Sequence, residues 1–267
     1  MSFCFLYAWV TPAYFSEAPV DHTFVTSFDS RQRRYLDIAE VITATHSFWH
    51  CWGDSHSTAG TNVNVTGYIG SQQANMKEAV GLVTPNEGIA KSSSKGTILA
   101  YGIDGVCHQV ANQVLFATAR WGGPLTVCAA RGYVASVFLY GTYGRKIAAW
   151  ERKKRLCGCE GASPAALRGV KMSPDEFEER ARSVIGPDNE DVIRKLTGIR
   201  DQARATATRN RAFAKNDADE LNRINQRVLD DAAALLGRDK FIALFGFPPE
   251  QKINLVDVRA MSSTKAR

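Results

Sequence analysis

Residues 3–10 are apolar and aromatic almost throughout, which predicts a strand. Residues 20–28 (VDHTFVTSF) alternate, with His22, Phe24 and Thr26 on one face and Thr23, Val25 and Ser27 on the other. Residues 45–53 (THSFWHCWG) are rich in aromatic and β-branched side chains and predict another strand. Between the last two lies a segment with a basic turn at Arg31, Arg33 and Arg34. Residues 55–68 are polar and rich in Gly, Thr and Asn, a loop or an irregular strand pair. Residues 72–83 suit a helix, and 84–96 read as a loop. After a turn at Asp104-Gly105, residues 106–119 carry a stripe of Val106, Val110 and Val114 flanked by Ala111, Leu115 and Thr118. That is the period of a helix. Gly122-Gly123-Pro124 stops it. Residues 133–150 are apolar without a clear period and are broken by Gly141 and Gly144, so their state stays open.

From Ser173 the pattern is helical. Ser173-Pro174-Asp175-Glu176 combines an N-cap, a proline at the first helical position and acids in the first turn. Three or four helices are predicted, over approximately 173–185, 188–214, 216–237 and 238–246. Their apolar stripe (Leu221, Ile224, Val228, Leu235, Leu236) suits docking on the first part of the chain, covering a cleft or binding a partner protein. Charge divides the chain in the same place: 19 of the first 150 positions are charged, against 41 of the remaining 117. The pattern predicts an α+β domain over 1–150 and a helical region over 151–267.

With 267 residues, 45 % hydrophobic and 22 % charged, the chain is not disordered, collagen-like or disulfide-dense. No apolar run reaches the roughly 18 residues of a membrane helix. The first 14 residues are apolar but carry no basic leader, so a cytoplasmic protein, or one exported without a cleavable signal peptide, is expected. The net charge of +6 is too mild to predict specific nucleic-acid binding. The six cysteines are scattered, and reduced thiols are expected.

Cys107 follows the Gly105 turn and opens the predicted helix. Helix N-termini carry unpaired N–H groups and a partial positive charge, which favour thiolate over thiol. A nucleophilic cysteine also needs a histidine base and a group to orient it. The histidines are His22, His46, His50, His56 and His108. His108 neighbours Cys107 but diverges from it by about 100° on a helix, which suits it poorly as the base. His22 opens a strand. If 20–28 and 45–53 pair antiparallel with residue 28 near 46, His22 falls opposite approximately residue 52. His50 is then a same-face neighbour, and Asp54 lies just past the strand end. A one-residue slip inverts these faces.

The order of a histidine strand (Asp21-His22-Thr23-Phe24-Val25), a further strand and a helix opening with cysteine (Gly105-Val106-Cys107-His108-Gln109-Val110-Ala111-Asn112) resembles the circularly permuted papain-like thiol enzymes of the NlpC type. That group includes peptidoglycan and peptide hydrolases, acyltransferases such as lecithin:retinol acyltransferase, and some bacterial toxins. The resemblance covers residues 1–150 at most. It implies an antiparallel sheet with a nucleophile helix, Cys107 as nucleophile, His22 as base, His50 as the orienting residue, and no cofactor. The substrate would be a peptide, peptidoglycan or another acyl donor.

Rival patterns exist. His46-x3-His50-Cys51-x2-Asp54-x-His56 offers enough ligands for zinc or another transition metal, or a set of strand caps. A metal-binding protein or metallohydrolase built on His46, His50, Asp54 and His56 is therefore an alternative. A non-catalytic protein working through its C-terminal helices is another. Cys157-Gly158-Cys159, after the basic residues Arg152 to Arg155, reads as a linker, a redox pair or half a metal site. Cys4 and Cys128 sit in apolar runs and are expected in the core. Arg131 and Arg145 suit phosphates or a solvated face, and the nearby Tyr133, Tyr140 and Tyr143 suit a groove wall or a packed core. No phosphate-cradling glycine motif occurs.

Overall fold

The computed structural model describes residues 3–12, 20–29, 48–49, 67–75, 102–118, 124–145, 176–209 and 217–256. Four strands, β1 (Phe3–Pro12), β2 (Asp21–Asp29), β3 (Phe48–Trp49) and β4 (Gly67–Asn75), form one sheet in the order β3-β2-β1-β4. Every pairing is antiparallel. β2 and β3 meet through Val25↔Trp49 and Thr26↔Phe48, the register expected from the sequence.

The helices among the described residues are α1 (Cys107–Thr118), α2 (Tyr133–Tyr140), α3 (Glu176–Ile185), α4 (Glu190–Arg209), α5 (Ala218–Leu236) and α6 (Arg238–Phe245). A 3-10 turn, Pro187–Asn189, joins α3 to α4. The chain is α+β.

Residues 72–75, expected to begin a helix, are extended in β4. Gln72 pairs with Leu6, and its side chain explains the preference. Its Nε2 donates to the Leu115 carbonyl at 2.6 Å, and its Oε1 accepts the Leu125 N–H at 3.1 Å. One amide thus ties the sheet to α1 and to the segment after it. Gly70, opposite Ala8, allows the same close approach, since a Cβ there would stand 3.1 Å from Leu125 Cδ2.

Cross-strand partners share a sheet face. Leu6, Ala8 and Val25 lie on one face and join Val106, Val110, Ala111 and Leu115 in the buried core, so α1 covers that face. Tyr7, Trp9, His22 and Phe24 belong to the other face, where the Tyr7 and Trp9 rings stack at 6.1 Å and those of His22 and Phe24 at 6.0 Å.

Every residue of α2 is buried, which is why its sequence shows no period. It packs against α1 and against α3, α4, α5 and α6. Phe138 of α2 meets Phe177 at 4.7 Å and Phe245 at 5.5 Å, and Phe241 and Phe247 extend this aromatic core. Asp217 caps α5 by accepting the Asp219 and Glu220 N–H groups. Asn222 brackets Val256 with two hydrogen bonds of 2.9 Å, holding the segment after α6 against α5.

Cys128, expected in the core, is exposed. Its apolar run is too short to be an element: Val127 is buried, but the chain turns there, with the Ala130 N–H bonded to the Val127 carbonyl at 3.0 Å. No helix among the described residues is long and apolar enough to cross a membrane.

Candidate functional site

The start of α1 is built by local polar bonds. In the turn before it, the Gly102 N–H reaches the Gly105 carbonyl at 2.8 Å, and the Asp104 carbonyl accepts the Arg145 N–H at 2.8 Å. Val106 occupies the cap position and offers no side-chain oxygen. Gln109 compensates by turning its Oε1 back to the Val106 N–H at 3.0 Å, half of a capping box. The helical ladder begins with Val110 N–H to the Val106 carbonyl.

Cys107 is the first residue of this helix and is 7 % exposed. Its Sγ stands 4.0 Å from the backbone oxygen of Asp21, the residue before His22. The same oxygen lies 3.0 Å from His108 Nε2. Cys107 and His108 leave the helix in different directions, yet they converge on one carbonyl. A carbonyl only accepts, so this contact is a hydrogen bond when the imidazole proton is on Nε2. His108 Nδ1 faces Ser136 Oγ of α2 at 2.8 Å.

Asp21 is held at every polar group. Its N–H donates to the Arg131 carbonyl at 3.1 Å, and its Oδ2 accepts the Arg131 N–H at 2.8 Å. Its Oδ1 accepts Arg131 Nε at 3.0 Å and Nη2 at 2.8 Å. The hydrogen bond to Asp21 raises the Arg131 guanidinium above its ordinary value. Arg131 thus places Nε and Nη2 on Asp21 while its side chain stays about half exposed. Arg145 is likewise used inside, donating to the Leu139 carbonyl and lying 4.9 Å over the Tyr140 ring.

Four polar residues of α1, His108, Gln109, Asn112 and Gln113, are fully buried, and buried polar groups need partners. Gln109 Nε2 donates to Ser136 Oγ and the Gly141 carbonyl. Asn112 donates to the Thr142 carbonyl and accepts the Val127 N–H, and Gln113 donates to the Tyr143 carbonyl. Asn112 also donates to the Tyr133 hydroxyl at 3.0 Å, which donates in turn to Glu176 Oε2 at 2.6 Å. Burial and the Glu176 charge push the Tyr133 phenol far above its ordinary value. Tyr133 and Tyr140 are packed core rather than a groove wall, and Tyr143 is half-buried.

Cys107 and the His22 strand are thus in contact through the Asp21 carbonyl. The His22 ring itself is buried on the opposite sheet face, stacked on Phe24. On the α1 side of β2 lies Thr23, 1 % exposed, whose hydroxyl finds no hydrogen-bond partner among the described residues. His46, His50, Cys51, Asp54, His56, Cys157 and Cys159 lie outside the described residues. Among the described residues no group of three or more His, Cys, Asp or Glu side chains could hold a metal ion.

Sequence reasoning missed the partners of α1. The signal available was four polar side chains within the six positions 108–113 of a largely apolar helix. Ser136 and Arg131 were invisible because each contact joins distant segments. No protein-family model, curated protein or solved structure matches the chain.

Proposed function

We propose that this chain is a thiol-dependent enzyme that hydrolyses or transfers an acyl or amide group, with a permuted papain-like arrangement of its sheet and α1. Cys107 is the nucleophile, His22 the general base and His50 the residue that orients it. The observation carrying this reading is the contact between the Cys107 thiol, at the start of α1, and the peptide that joins Asp21 to His22. A helix start supplies backbone N–H groups for a developing oxyanion and favours the thiolate.

In the proposed reaction His22 takes the thiol proton, and the thiolate forms a bond to the acyl carbon of a peptide, peptidoglycan or other acyl donor. Collapse of the tetrahedral intermediate breaks the bond to the leaving amine or alcohol, which receives the proton from His22. Water or an acceptor amine then attacks the thioester and frees Cys107. The reading requires the His22 ring to leave Phe24 and come round the leading end of β2, where it is the second residue.

The test is iodoacetamide labelling of each cysteine against pH, mapped by peptide mass, in wild type and His22→Ala. Cys128, exposed, is the internal comparator. Cys107 is expected to react well below the ordinary thiol value of about 8.5, and to lose that advantage in His22→Ala. A Cys107 that is inert in the native fold, or that titrates like a free thiol, refutes the reading.

A further inference from the structure

We infer that His108 is a positioning residue for Cys107, a role that rests on the reading of Cys107 as nucleophile. Three observations carry it. The imidazole is fully buried, so its orientation is fixed by packing and bonding. Its Nε2 lies 3.0 Å from the same Asp21 oxygen that the Cys107 Sγ approaches at 4.0 Å, and donates to it in the Nε2–H tautomer. Its other nitrogen is seated on Ser136 of α2, which Gln109 also contacts at 3.2 Å.

Two consequences follow for the thiol. A carbonyl that accepts a thiol proton stabilises the protonated sulfur and opposes ionisation. With His108 N–H donated to that carbonyl at short range, the negative potential facing the sulfur is reduced, and the thiol remains a distant second donor. The same bond pins the peptide before His22 to the first turn of α1, so nucleophile and proposed base share one anchor. Asp21 is clamped from its other side by Arg131, which leaves His108 as the α1 contribution to the anchor.

Side-chain isosteres separate this role from simple packing. In His108→Gln the amide nitrogen falls near the place of Nε2 and can still donate to the Asp21 carbonyl. In His108→Asn it falls near Nδ1 and cannot. Both variants, wild type and His22→Ala are compared by the pH profile of Cys107 alkylation, with thermal unfolding as the folding control. The expected result is a Cys107 rate at pH 7 within about threefold of wild type for His108→Gln and at least about tenfold lower for His108→Asn. Equal rates in the two variants overturn the inference. Histidine-selective ¹⁵N NMR of wild type gives a second readout that needs no variant to fold. A solvent-protected Nε2–H on His108 is expected, and an Nδ1–H tautomer overturns the inference. A wild type with no His22 dependence but with the Gln/Asn difference intact refutes His22 as base while supporting the positioning role.

Discussion

Replacing Tyr133 with Phe removes one oxygen atom from the junction of α1, α2 and α3. The phenol accepts from Asn112 at 3.0 Å and donates to Glu176 at 2.6 Å. Asn112 keeps the Thr142 carbonyl at 2.9 Å on its amide nitrogen and the Val127 N–H at 3.0 Å on its Oδ1, but one of its two amide hydrogens loses its buried partner. Glu176 loses the short bond to Oε2 and retains Thr126 on Oε1 at 3.3 Å. A hydrogen bond to a charged group contributes about 1.5–3 kcal/mol. Glu176 is partly exposed, so water recovers some of its solvation, and the ring itself stays, so no cavity opens. The expected loss is about 2 kcal/mol. Urea unfolding measures it as a lower midpoint at unchanged slope. Pairing the change with Glu176→Gln in a double-mutant cycle should give a coupling of about 1–2 kcal/mol. A loss under about 0.5 kcal/mol, or strict additivity of the two changes, refutes the assignment of this bond as the link between the helices.

Further outcomes follow from the same structure. Burial raises the phenols of Tyr133, Tyr140 and Tyr143, so the folded state keeps protons that the unfolded chain releases above pH of about 10. Their contribution is complete below that pH and is lost as pH rises beyond it, by up to about 4 kcal/mol per unit for the three together. Alkaline urea titrations check this, and each Tyr→Phe variant should remove part of the slope. Thr23→Val replaces a buried hydroxyl that has no partner among the described residues and should raise stability by about 1 kcal/mol in urea; a loss contradicts that account. Gly102 has φ +76°, and a Cβ there would stand 2.8 Å from Val256 Cγ1 and 3.0 Å from Leu221 Cδ1. Gly102→Ala should therefore cost at least about 2 kcal/mol, read as a lower melting temperature.

The alternation of 20–28 and the valine stripe of 106–119 foretold β2 and α1 because polar and apolar side chains recur in each at a regular period, even though both faces of 21–25 and of 106–113 are buried. The supposed pairing of residue 28 near 46 agrees with the two pairs between β2 and β3, but nothing in the sequence distinguished it from a one-residue slip. α2 was not legible: YVASVFLY is buried all round, and a segment without a polar face has no period to read. Gln72 misled because its strand conformation depends on the Leu115 carbonyl and the Leu125 N–H, both distant in sequence. At the site, the place of Cys107 was readable from Gly105 and the helix pattern. The sequence put His22 with Phe24 on one face, yet nothing in it said that α1 would cover the face of Thr23 and Val25 instead. The partnership of His108 with Asp21 was hidden by the 87 positions between them.

The position of α2 has a consequence for how the chain is born. Its flank toward α1 can be satisfied as soon as residue 140 leaves the ribosome. Its flank toward Phe177, Asn225 and Phe245 cannot, because those partners are synthesised later. At usual elongation rates the interval is on the order of ten seconds. Throughout it Phe138 and Tyr140 lack their later cover, and the segment holding Cys107 rests on a half-finished neighbour. The nascent chain therefore passes through a window of aggregation risk in which a holding chaperone has an apolar surface to grip, and the packing of α2, on which α1 rests, is completed only when the later helices arrive.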